Sequence, residues 1–168
     1  MIIVSSLRAA KEQLQLHGAR RAIGILSPEM PHPQFETLEE GQHLRLTFHD
    51  VTTNHQGLTA PSLRDAERLL QFIQNWDQEH PMLIHCWAGI SRSTASAYAA
   101  LCVLRPTVDE QVLADELRAA SPSATPNRMI VAQIDQLLGR QGRMSQAVEN
   151  IGRGADAFDG KPFQLNIK

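Results

Sequence analysis

Lysine is nearly missing from this sequence: three stand against thirteen arginines, and with eighteen acidic residues the formal charge is −2. Without a basic excess nothing drives the chain toward the phosphate backbone of nucleic acid or an anionic membrane surface, so neither is expected as a partner. Cysteine is scarce too. Cys86 and Cys102 fall in segments that read as neighbouring buried elements, so they are expected as reduced thiols of a cytoplasmic protein rather than as a disulfide framework. No apolar run approaches the roughly 20 residues of a membrane helix, and residues 1 to 7 lack the pattern of a secretory signal. Repeats and low-complexity tracts are absent as well. What is present is ordinary globular composition, 42 % hydrophobic and 20 % charged over 168 residues, enough for one domain with its own core.

The order of elements reads as alternating strands and helices followed by a helical half. Residues 2 to 4 form a short apolar run, Ser6 opens a helix that Gly18 stops, and residues 22 to 26 make a second strand. A proline-bearing connection over 27 to 41 leads to an alternating strand at 44 to 48, then His49, Asp50 and an unpatterned loop to Pro61. Ser62 and Asp65 form a capping-box pattern, with Leu63, Ala66, Leu69, Leu70, Ile73 and Trp76 on one helical face. Pro81 restarts the chain as a buried strand, and residues 94 to 104 read as a buried helix. Thr107 with Glu110 is expected to cap a further helix to about Ala120, and residues 127 to 138 to form the last amphipathic one. The segment after Gly139 is weakly patterned, an extension to a core of about 1 to 139, which packs across that core or mediates a dimer.

Between the buried strand and its helix stands His85-Cys86-Trp87-Ala88-Gly89-Ile90-Ser91-Arg92-Ser93. Such a loop aims backbone N–H groups at one point, and with the helix dipole they make an anion site. The cysteine at its start suits nucleophilic chemistry. A free thiol with a pKa of about 8.5 is only about 3 % ionised at neutral pH, and a helix N-terminus with nearby cations lowers such a pKa by several units. Arg92 adds a planar fork that holds two phosphoryl oxygens in parallel, which a lysine point charge cannot do. With two cysteines and thirteen arginines, a Cys-x5-Arg spacing arises by chance about 15 % of the time, so the strand before, the helix after and the flanking His85, Ser91 and Ser93 carry the weight.

The segment His85-Cys86-x5-Arg92-Ser93 resembles the signature of the protein tyrosine phosphatases, and Ala88 to Ser93 is similar to their dual-specificity branch. The resemblance spans roughly residues 44 to 138. It implies a single-domain, three-layer αβα fold with a mostly parallel sheet and a phosphate loop between strand 82–86 and helix 92–104. It implies Cys86 as nucleophile, Asp50 as general acid and then base, Ser93 as the hydroxyl stabilising the departing thiolate, and residues 87 to 92 as the phosphate cradle. His85 is implied to buttress the loop by hydrogen bonding, and Asn127 to help place water. The expected substrate is a phosphorylated protein or a small phosphomonoester, phosphotyrosine foremost with dual specificity open; phosphate, sulfate and vanadate are the matching oxyanions. No metal or organic cofactor is expected, and the assembly is a monomer or homodimer.

Each residue also has a plainer reading. Cys102, on an apolar helix face, is an inert thiol. Asp50 could simply initiate a turn; Asp65, its competitor, is explained by capping. The histidines at 43, 49, 55 and 85 show no zinc spacing. Trp87 is a substrate-facing wall or a prop for the cradle, and Ser93 a helix cap or a catalytic hydroxyl. The rival functions are a rhodanese-like sulfurtransferase and a phosphate-binding pseudophosphatase. The absence of lysine from the loop speaks against phosphoinositides.

Overall fold

Short apolar runs bounded by turns become the strands here, and their order positions the site. The computed structural model describes residues 1–168, with strands β1 (Ile2–Ser6), β2 (Arg21–Leu26), β3 (His43–Thr47), β4 (Met82–Cys86) and β5 (Phe163–Leu165). They form one sheet in the order β3-β2-β4-β1-β5. The first four are parallel, and β5 runs antiparallel along β1. The central strand β4 is buried on both faces, which is why it reads as an uninterrupted apolar run. Its register sets Ser6 opposite Cys86, so the ends of β1 and β4 open at the same edge.

Alternation along the strands divides the core in two. Ile3, Ala22 and Leu83 face α1 (Leu7–Leu16) and pack with Ala10, Leu14 and Phe35. Ile2, Val4, Ile23, Ile25 and Ile84 face the other five helices: α2 (Leu63–Gln74), α3 (Arg92–Leu104), α4 (Glu110–Ala120), α5 (Arg128–Leu137) and α6 (Arg143–Ile151). This is the three-layer, mostly parallel architecture expected. Helix α3 is buried nearly throughout, from Arg92 to Cys102, because small residues let it lie against the sheet.

Several local expectations shift. The Ser62–Asp65 capping box forms in both directions, but α4 is capped by Asp109, whose carboxylate accepts from the Gln111 N–H at 2.8 Å, and not by Thr107. Glu110 is thereby released to take Arg140 and Arg143 at 2.9 and 3.1 Å, a buried anion held between two guanidinium groups. Ser6 ends β1 and precedes α1 without making a side-chain cap. Trp76 lies past the end of α2, buried, with Nε1 donating to the His80 carbonyl at 3.0 Å.

The segment after Gly139 packs onto the same core through Met144, Ala147, Val148, Phe163, Leu165 and Ile167. Helix α6 has no capping side chain of its own; Asp135 of α5 reaches over instead, accepting from the N–H groups of Gly142 and Met144 at 2.7 Å each. A carboxylate at a helix N-terminus also meets the positive end of its dipole.

A histidine cluster sits on the α1 face, where His85 packs edge-on against Phe35 with ring centroids 5.9 Å apart and lies near His43 and His32. Burial pushes His85 down to about 4 and His43 down to about 3, and burial lowers His32 as well. All three are therefore neutral in the fold, whereas the unfolded chain takes protons near the ordinary histidine value. Stability should be full above that value and fall as pH drops from about 6.5 toward 4, His85 alone costing about 2 kcal/mol at pH 5. Denaturant midpoints for the protein and a His85→Gln variant at pH 7 and pH 5 check this. The variant should show the shallower loss, and equal slopes would remove His85 as the cause.

Candidate active site

β4 delivers Cys86 to the sheet edge with 2 % of its surface exposed, and α3 begins six residues later at Arg92. The chain between them is turned so that its carbonyls point outward. Trp87 O accepts from Leu7 N–H at 3.0 Å, Ala88 O from Gly160 N–H at 2.8 Å, Ile90 O from Thr125 N–H at 2.9 Å and Ser91 O from Asn127 N–H at 3.2 Å. Thr94 Oγ1 donates to the Ile90 and Ser91 carbonyls as well. With those carbonyls drawn out, the amides face inward. The N–H groups of Trp87, Ala88, Ile90 and Ser91 have no acceptor in the chain, while Gly89 N–H donates to Cys86 Sγ at 3.3 Å. Successive inward amides of this kind form an anion-binding concavity.

Gly89 is required by this packing. Its φ is +73°, and a Cβ there would stand 2.7 Å from the Ser6 nitrogen and 2.8 Å from the Ser5 carbonyl carbon, both backbone atoms that cannot give way. Ser93 Oγ lies 3.1 Å from Cys86 Sγ and so stands beside the sulfur rather than acting only as a cap.

Arg92 is buried, 4 % exposed, with no carboxylate within 4 Å. Its Nη1 donates to the Phe48 carbonyl at 2.8 Å and to Ser27 Oγ at 3.2 Å, while Nε is buried without a partner. A buried cation without an anion is costly unless a ligand supplies the charge.

The strand β3 hands the chain to the loop that carries Asp50. His49 closes this loop at its base: its N–H donates to Thr59 O at 2.7 Å, its Nδ1 accepts from Thr59 N–H at 2.9 Å, and Nε2 meets Glu29 at 3.0 Å. Asp50 Oδ1 accepts from Ser91 Oγ at 2.7 Å and from Asn127 Nδ2 at 2.8 Å, so Asp50 reaches the cradle from its Ser91 end. Asn127 Oδ1 caps α5 by accepting from Met129 and Ile130, which turns its amide group toward Asp50 and the Val51 carbonyl. The structure thus brings Cys86, Arg92, Ser93, Asp50 and Asn127 into one neighbourhood.

His85 differs from the expectation attached to it. The Cys86 backbone lies close, but neither ring nitrogen reaches hydrogen-bond geometry with any protein group, so His85 supports the loop by packing. Its Nε2 would stand 2.7 Å from a Cβ at Gly24, so any larger residue there would have to displace the buried His85 ring. Cys102 is fully buried on α3 and pushed by burial up to about 12, an unreactive thiol as expected. Reading the sequence missed the anchors Ser27 and the Phe48 carbonyl, and missed the tail, whose Gly160 N–H holds the cradle from outside.

No family model and no curated protein matches the chain. Among solved structures it is similar to DUSP15, with a TM-score of 0.65 and 21 % identity over 89 % of this chain and 90 % of that one. Human DUSP28 gives a TM-score of 0.64 and 22 % identity over 83 % and 89 %. Human tyrosine phosphatase-like serine/threonine/tyrosine-interacting protein gives 0.65 and 21 % over 83 % and 92 %. The resemblance written in residues 85 to 93 therefore extends to the whole architecture, and the chain has the fold of the dual-specificity branch of the cysteine-dependent phosphatases.

Proposed function

We propose that this chain is a phosphatase that hydrolyses phosphomonoesters, phosphotyrosine in proteins foremost, through a phosphocysteine intermediate. One observation carries the reading: the loop that starts at Cys86 holds four amides without acceptors and ends in a buried guanidinium without a carboxylate. A phosphoryl group bound there satisfies both.

Cys86 attacks phosphorus as the thiolate; the S–P bond forms as the P–O bond to the leaving group breaks. Asp50 gives the departing oxygen its proton, and its Oδ2 is free of protein hydrogen bonds while Oδ1 is held. In the second step a water oxygen attacks phosphorus, Asp50 takes back a proton, and the S–P bond breaks. The Ser93 hydroxyl, 3.1 Å from the sulfur, donates to the thiolate as it departs. Arg92 and the amides follow the charge on the equatorial oxygens in both steps.

Hydrolysis of p-nitrophenyl phosphate, inhibited by vanadate, is the direct test. A chain inert toward aryl phosphates but active in thiosulfate-to-cyanide transfer would instead be the sulfurtransferase. Asp50→Ala should lower kcat by about a hundredfold with little change in KM, because the proton is needed in the transition state. The loss should be greater for phosphotyrosine than for p-nitrophenyl phosphate, whose leaving group needs less protonation. A wild-type rate on phosphotyrosine would move the acid to another residue.

A further inference from the structure

The cradle has a neighbour that the chemistry above does not use. Trp87, the residue after the nucleophile, is 44 % exposed, and Phe158 of the tail is 77 % exposed. Their rings meet edge to face, with centroids 5.7 Å apart. Large apolar groups held together at a surface are not explained by core packing.

The tail is fixed where it carries Phe158. Asp159 pairs with Arg8 at 2.6 Å, and Gly160 N–H donates to the Ala88 carbonyl. A Cβ at Gly160 would come within 2.8 Å of the Gly89 oxygen, so the tail lies directly on the phosphate loop. Leu7, Arg8, Trp87, Phe158 and Asp159 line an open surface cavity of about 210 Å³, room for one large side chain. Its charged rim is internally neutralised by the Arg8–Asp159 pair, which leaves aromatic and aliphatic surface to make the selection.

We propose that this cavity is a substrate subsite that takes a large apolar side chain flanking the phosphorylated residue of a peptide. The inference rests on the phosphatase reading. A phosphate in the cradle fixes the substrate backbone just outside the loop, and consecutive Cα atoms of that backbone are about 3.8 Å apart. Trp87, which lines the cavity, is the residue next to Cys86, so the cavity stands beside the cradle where a residue flanking the phosphorylated one can enter it. Asp50 approaches the loop at Ser91, while the cavity meets it at Trp87, so acid and subsite do not compete for one end. Aromatic side chains that a bound partner covers are where binding energy concentrates.

Two phosphotyrosyl peptides, one with leucine on both sides of the phosphorylated residue and one with glycine, provide the test. The chain should favour the leucine peptide by about tenfold in KM, the worth of one partly buried apolar side chain. Phe158→Ala should bring that ratio close to one, and Phe158→Leu should restore much of it. Phe158 is mostly exposed, so folding is not at stake. Equal KM values for the two peptides, or an unchanged ratio in Phe158→Ala, would overturn the subsite while leaving the phosphatase reading intact. Failure to hydrolyse p-nitrophenyl phosphate at all would instead remove the phosphatase reading and the subsite with it.

Discussion

Replacing Cys86 by Ser is expected to lower kcat toward p-nitrophenyl phosphate by about four orders of magnitude or more, the scale on which loss of a nucleophile is felt. A hydroxyl of nearly the same size occupies the same place beside Ser93 and the Gly89 amide. It lacks the acidity of a thiol, and the site shows no base within hydrogen-bond reach of position 86 that could ionise it. The cradle itself survives, so inorganic phosphate should still bind the variant, as calorimetry can measure. Loss of turnover with retained phosphate binding separates the nucleophile from the anion site. Cys102 is the internal control: it is 1 % exposed and its thiol is pushed up to about 12, so Cys102→Ser should keep full activity. A Cys86→Ser variant that turns over at the wild-type rate would end the phosphocysteine route.

Much of this site was legible because its core is local. Cys86 and Arg92 share one strand-loop-helix unit, and the geometry of such a unit follows from burial before it and small residues after it. Asp50 was legible only through resemblance, since an acid after a strand is by itself a turn residue as readily as a catalyst. The rest depends on contacts between distant segments, which no local pattern reports. Nothing near Gly160 announces that its N–H draws the Ala88 carbonyl outward, and nothing near Ser27 announces that it holds Arg92.

The tail shows the same limit. Helix α6 begins after Gly142 and borrows its cap from Asp135, so the usual start signal is absent from its own sequence. Strand β5 has three residues, too few for alternation to register, and owes its existence to the open edge of β1. Glu110 was misread as half of a capping pattern because spacing alone does not show the two arginines that converge on it from the chain beyond α5.

Arg92→Lys keeps the charge and should still lower kcat/KM by about a thousandfold, the upper end of what losing one neutral donor from an oxyanion site costs. The guanidinium has two separate tasks. Nη1 is tied to the Phe48 carbonyl and to Ser27, which fixes the plane of the group, and this leaves Nε buried and without a partner. A planar fork can be anchored at one corner and grip phosphoryl oxygens with another; an ammonium is a single point that must choose between them. In the lysine variant either the Phe48 carbonyl or the substrate goes without its donor. Because the grip tightens as charge spreads over the equatorial oxygens, kcat should fall along with binding rather than KM alone rising. Guanidinium ion added to an Arg92→Ala variant should recover part of the lost rate, since the cavity left behind is shaped for it. A lysine variant within about threefold of the wild-type rate would show that charge alone suffices, and the anchored-fork account of the cradle would then be wrong.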